Sequence, residues 1–243
     1  MALKQQQKNQ VDENLKALDY LEGTGLLNSM KKHLAKERFL FISSGGTGHK
    51  LMKVLKENLE RHVEDGDIRD RVKFLVIDTD HGELERLRRE KGKGIFEAHE
   101  LLKLPFQEAR RTIAPGTMTP QAEAWVHPDL YSVTGGEGSS AEFAGMGAGA
   151  YRQVGRVHLS QRTALDMLRD YVVEKIRSLT SNQNNLDPIN VFFFCGISGG
   201  TGSGTIIDLS FLTRYFIREF NGNVYARTRF RAYLMLPSAC GFE

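Results

Sequence analysis

The sequence predicts an α/β fold, a parallel sheet flanked by helices on both faces. Three observations carry that prediction. Short apolar runs of strand length alternate with stretches whose apolar residues recur at helical spacing. Strand alternating with helix implies βαβ units, hence a parallel sheet. The junctions between run and helix are rich in glycine, the residue that tight strand-to-helix turns favour.

Residues 1–36 read as a helical N-terminal extension. Leu15, Leu18, Leu21 and, beyond Gly23 and Gly25, Leu26, Leu27, Met30 and Leu34 form an apolar stripe that would dock on the body or on a partner. Residues 37–243 form the α/β domain. Its first strand is 39–42, followed by a glycine loop at 43–50 and a helix marked by Leu51, Val54, Leu55 and Leu59. A second strand at 72–77 runs into the turn 78–82 and a charged helix around 83–91. Residues 92–146 are an irregular insert, with Pro105, Pro115, Pro120 and Pro128 and a glycine cluster at 134–147. A helix returns over 155–179, with Leu165, Leu168, Val172, Ile176 and Leu179 on one face, and the polar stretch 181–188 ends it. The third strand is 191–195, in which the unbroken run 192–195 predicts burial on both sides. A helix from 205 to 220 and a fourth strand at 230–236 complete the pattern.

Composition narrows the function classes. A formal net charge of +3 is too small to demand a nucleic-acid partner, and none is expected. The basic run 86–93 has no interleaved aromatic residues and reads as a solvated helix face. The polar start lacks the apolar core of a signal peptide, and no apolar run approaches the ~20 residues of a membrane span, so the expectation is a cytoplasmic protein without membrane contact. Cys195 and Cys240 follow no framework spacing and are expected to be free thiols. The seven histidines show no metal-ligand spacing.

The chemistry is expected on the loops. Ligands of parallel α/β sheets bind at the carboxyl ends of strands, where loops feed helix N-termini. Four such segments share one composition: Gly45, Gly46, Thr47 and Gly48 after Ser44; Asp78, Thr79 and Asp80; Gly147, Ala148, Gly149 and Ala150; and Ser198, Gly199, Gly200, Thr201, Gly202, Ser203 and Gly204. Glycines let the backbone close on an anion, helix N-termini present unpaired N–H groups, and Thr201 and Ser203 add hydroxyls. A di- or triphosphate fits such loops best. One glycine loop alone would read as a tight turn; several in one domain do not. Asp78 and Asp80 read equally as groups acting on a Mg²⁺-bound water and as caps of the following helix. His49 reads as a phosphate contact or as a solvent-facing loop residue. The Walker A pattern is absent, Lys50 falling in the wrong register. A Rossmann dinucleotide site, with Asp78 on the ribose, is the competing reading, although the first loop offers G-G-x-G rather than G-x-G-x-x-G.

The segment 198–204, S-G-G-T-G-S-G, resembles the signature loop of the tubulin and FtsZ superfamily. Gly45 to Gly48 resemble that family's first phosphate loop, and Asp78, Thr79 and Asp80 resemble its Asn-Thr-Asp turn. Residues 147–155, GAGAYRQVG, are similar to its loop near the γ-phosphate, and Gly241, Phe242 and Glu243 resemble the strand end whose Glu contacts the ribose. The resemblance runs from about Arg38 to Glu243 and is to bacterial-type members. It implies a Rossmann-like GTPase domain binding GTP or GDP with Mg²⁺, and head-to-tail self-assembly into filaments. By the same resemblance, acidic residues of one subunit complete hydrolysis at the next subunit's nucleotide. The pattern departs at Lys50, where the family has a guanine-reading Asn, and at Tyr151 and Arg152, where it has Asn and Pro. The family's central helix, acidic catalytic loop and second domain would lie beyond Glu243. No catalytic residue is therefore assigned within these residues. The expectation is a fragment or a truncated member: a GTPase when full length, or alternatively a nucleotide-holding scaffold that does not hydrolyse.

Overall fold

The computed structural model describes residues 37–62, 70–89, 95–114, 116–127, 130–133, 147–148, 151–181 and 187–236. The extension 1–36, most of the glycine cluster at 134–147, Gly149, Ala150, Cys240 and Glu243 lie outside the described residues.

Five strands form one sheet: β1 (Arg38–Ser44), β2 (Val72–Asp78), β3 (Leu101–Lys103), β4 (Ile189–Gly196) and β5 (Thr228–Met235), in the order β3-β2-β1-β4-β5 with every pairing parallel. Parallel strands need crossover connections, and these are helical. The long ones are α1 (Gly45–His62), α7 (Arg162–Thr180) and α8 (Gly200–Phe220); α2 (His81–Arg89), α3 (Phe106–Ile113), α4 (Pro120–Glu123), α5 (Leu130–Val133), α6 (Arg152–Ser160) and α9 (Gly222–Ala226) are shorter. The predicted α/β class is the observed one.

Side chains alternate across the pleat, so each central strand feeds two cores. Leu40, Ile42, Leu75, Ile77, Val191 and Phe193 pack against Leu168, Val172 and Ile176 of α7 and Leu209 of α8. On the other face Phe39, Phe41, Phe74 and Val76 meet Met52 of α1 and Leu84 and Leu87 of α2. Every residue of β1 is buried, which explains its unbroken apolar reading. Full burial stabilises each large side chain by about 1.5–3 kcal/mol.

Several elements differ from the sequence reading. The loop expected at 43–50 is short, because Gly45 already begins α1. Helix propensity disfavours glycine, but the unpaired first turn needs little propensity and the packing of α1 on the sheet decides. In the same way α8 starts at Gly200, before Thr205. The helix expected over 155–179 is two helices that break at Gln161, whose amide reaches the Val157 carbonyl and accepts from Thr112. The irregular insert contains β3 and a satellite core, in which Ala109, Ile113, Ala122, Val126 and Leu130 pack on Val154 and Val157 of α6. Ala148 is buried in this cluster, so the insert holds the third glycine segment in place.

The run 192–195 is not buried on both sides. Phe192 and Phe194 are half-buried: they pack on the cluster under α1, while the neighbouring edge strand β5 is largely exposed. Cys195 is a buried free thiol, as expected, and burial pushes it up to about 11. The predicted solvated basic face is observed in α2, where Arg86 pairs with Glu83 at 2.6 Å and Arg89 with Glu85 at 3.7 Å. No helix of the described residues is long and apolar enough to cross a membrane.

One buried histidine makes the fold pH-sensitive. His158 of α6 is 2 % exposed, and its Nδ1–H donates to the Pro105 carbonyl at 3.1 Å. Burial, aided by nearby His81, lowers it from 6.5 to about 4 against the opposing Pro105 bond. The folded state therefore binds this proton less readily than the unfolded chain. Its contribution is fully present above pH 6.5 and is lost as pH falls from 6.5 towards 4, by up to about 3 kcal/mol. Urea midpoints at pH 7.5 and pH 5 are expected to differ less in His158→Gln than in the parent; equal differences would disprove the assignment.

Candidate functional site

The strand order reverses between β1 and β4, and at that switch point the helices following them start on either side of one cleft. The cleft, about 250 Å³, is lined by Ser44, Gly45, Gly46 and Thr47 from the β1–α1 junction and by Gly196, Gly199, Gly200, Thr201 and Gly202 from the β4–α8 junction. Asp78, Asp80 and Glu83 line it beyond β2, and Gly147 and Ala148 close another side. The three predicted glycine segments thus converge with the Asp-Thr-Asp turn.

The glycines divide into two groups. Gly45 has φ +75°, and a Cβ there would meet Gly202 N at 2.8 Å. A Cβ on Gly202 would sit 2.8 Å from the Gly196 carbonyl and 2.9 Å from that of Ser44. One on Gly48 would strike the Phe194 carbonyl, and one on Gly204 the Arg152 carbonyl. These positions let α1 and α8 approach the strands, each other and α6. Gly46 and Gly199 differ: both are exposed, both line the cleft, and a Cβ on either meets nothing within 4 Å. Packing accounts for the first group and leaves Gly46 and Gly199 as open approaches to the cleft.

The N-termini of α1 and α8 carry no acidic residue in the first turn, and Gly199 provides no side-chain cap. The first four N–H groups of each helix have no intrahelical acceptor, and the dipole adds partial positive charge. Two such ends side by side make an anion cradle. The hydroxyls of Thr201, Ser203 and Ser44 are otherwise engaged. Thr201 Oγ1 lies 2.6 Å from Thr79 Oγ1, and the Ser203 hydroxyl donates to the Gly199 carbonyl. Ser44 Oγ pairs with Thr205 Oγ1 at 2.7 Å. These three hydroxyls stitch the helix start to the neighbouring segments, and the cleft presents backbone N–H groups beside Thr47.

The two aspartates show the turn chemistry. Asp78 Oδ1 accepts from the backbone N–H of Thr79 at 2.7 Å and of Asp80 at 3.1 Å, while Asp80 Oδ1 accepts from Glu83 N at 3.0 Å and caps α2. Burial raises the Asp78 carboxyl above its usual range, against His49, these two N–H groups and Thr201. His49 is neither at the cleft nor in solvent. It is fully buried, its Nε2–H donating to the Ile77 carbonyl at 3.1 Å and its Nδ1 3.3 Å from Asp78 Oδ2. Because α1 begins at Gly45, the fifth residue points down into the sheet. Lys50 is exposed, and it, Gly48, Thr79, Ser198, Ser203 and Gly204 are outside the cleft lining. Sequence reasoning passed over Glu83 and Gly196. Glu83 lies three residues along α2 from Asp80, and Gly196 ends β4, where a Cβ would meet Thr47 Cβ at 2.8 Å. Among the described residues no group of three or more His, Cys, Asp or Glu is placed to hold a metal ion.

Fold and site together define a parallel α/β domain with a glycine-lined cleft between two helix N-termini at its topological switch point. A family model described as tubulin-like matches residues 40–243, and the chain belongs to that tubulin-like family. No curated protein matches the chain.

Proposed function

We propose that the cleft binds the phosphates of GTP or GDP and that the protein is a cytoplasmic, self-assembling tubulin-like GTPase when its family's remaining parts are present. The observation that carries the reading is the meeting of two helix N-termini without first-turn acids across Gly45 and Gly202, with open backbone at Gly46 and Gly199. Gly45, Gly46, Thr47, Gly199, Gly200, Thr201 and Gly202 then surround the phosphates, with Gly147 and Ala148 near the terminal one. Mg²⁺ would arrive on the phosphate oxygens. The carboxylates of Asp80 and Glu83, partly exposed in the cleft, would face it, and its charge would offset theirs. The Rossmann reading is less favoured. Asp78 is 3 % exposed and holds its own turn, so its carboxylate is not free for a ribose hydroxyl.

The test is to denature purified protein and identify the released nucleotide by chromatography. GTP or GDP is expected; recovery of neither, with no binding on titration, would overturn the reading. Phosphate release that rises with protein concentration supports head-to-tail assembly, whereas bound nucleotide without release supports a holding scaffold.

A further inference from the structure

The foot of the sheet, at the strand ends away from the cleft, gathers three arginines around one carboxylate. Arg38 opens β1, which lies between β2 and β4. Arg71 directly precedes β2, and the register of Phe39 with Val72 brings it beside Arg38. Arg227 directly precedes β5, whose first residue, Thr228, is in register with Ile189, the β4 partner of Arg38. Asp187 lies just ahead of β4. Its Oδ2 is 3.8 Å from Arg71 Nη1, so this ion pair spans the start of β1 from one neighbouring strand to the other.

The charges in this group do not balance. Arg38 is 6 % exposed, and its backbone N–H is spent on the Pro188 carbonyl. Among the described residues, Arg38 Nε and Arg227 Nη1 are buried donors without an acceptor. Arg227 Nε, by contrast, donates to the Asn223 carbonyl at 3.2 Å. Burial lowers the Arg38 guanidinium below its ordinary value; Asp187 opposes that shift, and the positive charges of Arg71 and Arg227 deepen it. The neighbouring carboxylate, Glu37, is engaged elsewhere, by Asn190 Nδ2 at 2.7 Å and Arg229 Nη1 at 3.3 Å. Buried charges are ordinarily paired, and a buried N–H without an acceptor is costly. Guanidinium groups match the oxygens of phosphate and carboxylate.

We propose that Arg38, Arg71 and Arg227 form a second anion site, in which Arg38 Nε and Arg227 Nη1 donate to a phosphate-type oxyanion. A tetrahedral oxyanion has an acceptor for each donor and offsets the surplus positive charge. The side chains of Arg71 and Asp187 are 24 % and 27 % exposed, so the cluster opens to solvent. The length of β1 separates it from the cleft, with Arg38 and Ser44 about 20 Å apart. The inference does not depend on the nucleotide reading.

The test is urea unfolding of the chain 1–243 at fixed pH and ionic strength, with chloride replaced stepwise by inorganic phosphate. The parent midpoint is expected to rise and saturate, and Arg38→Met and Arg227→Gln are each expected to lose at least half of that rise. Phosphate held in the cleft would act on all three proteins and cancel in the comparison. An equal response in parent and variants would overturn the proposal, as would a rise that never saturates, the mark of a general salt effect. No response would mean that the chain neutralises the cluster itself, which overturns it too. Saturation by glycerol 3-phosphate as well would identify a phosphomonoester as the ligand; saturation by phosphate alone, the free ion. Should Arg38→Met not fold, hydrogen exchange of the parent decides. Phosphate is expected to slow exchange at least threefold in peptides covering 37–40 and 187–190, and unchanged exchange there would sink the idea.

Discussion

Gly202→Ala is expected to destabilise the protein by about 3 kcal/mol or more, while Gly199→Ala, three residues earlier, costs under about 1 kcal/mol. The added methyl of Gly202→Ala lies 2.8 Å from one carbonyl oxygen and 2.9 Å from another, and 3.2 Å from Cys195 Cβ. The two oxygens belong to the main chain at the ends of β4 and β1, so no rotamer can yield. Relief requires α8 to lift from the sheet, opening the core that Leu209, Phe216 and Ile217 close. At Gly199 nothing lies within 4 Å, and its backbone, at φ −87° and ψ 163°, suits any residue. With urea slopes of roughly 1–3 kcal/mol per molar, the Gly202→Ala midpoint falls by about 1 M or more. Equal midpoints for the two variants would mean that the two helices do not meet as described.

Gly46→Asp separates binding from folding in the opposite sense. The new carboxylate sits in the first turn of α1, where the dipole favours an acid by about 0.3–1 kcal/mol, and it meets no neighbour within 4 Å. Stability is expected to hold or rise slightly. The same carboxylate fills the anion cradle with negative charge, so GTP and GDP affinity is expected to fall at least about 100-fold, or about 3 kcal/mol. Titration of fluorescent nucleotide alongside urea unfolding reads both outcomes. A variant that binds as tightly as the parent would place the phosphates elsewhere; one that fails to fold would contradict the open space at Gly46.

Much of this molecule was legible before any coordinates. The strand runs at 39–42, 72–77 and 191–195 are real: burial on both faces leaves an unbroken apolar signal in β1, and β4 keeps that signal with one face only half-buried. The glycine segments were identified with the cleft, and their order along the chain carried the tubulin resemblance that the family match bears out. What the sequence could not show is which glycines face protein and which face open space. Gly46 and Gly48 look alike in a string, yet one lines the cleft and the other lies against the Phe194 carbonyl. The difference arises because α1 starts at Gly45, which only its packing on the sheet decides.

The same holds for the side chains around the cleft. His49, Thr201 and Ser203 are residue types that contact phosphate well. Their partners at Asp78, Thr79 and Gly199 take those groups, and two of the three partners are distant in sequence from the groups they engage. The sequence by itself determined the α/β class, the chain positions of the phosphate-type segments and the family. It could do so because hydrophobic periodicity and backbone requirements are local. Tertiary structure alone decided the strand order, the hidden strand β3 and the pairing of the two helix N-termini. Each of these depends on contacts between segments far apart in the chain, which no local pattern records.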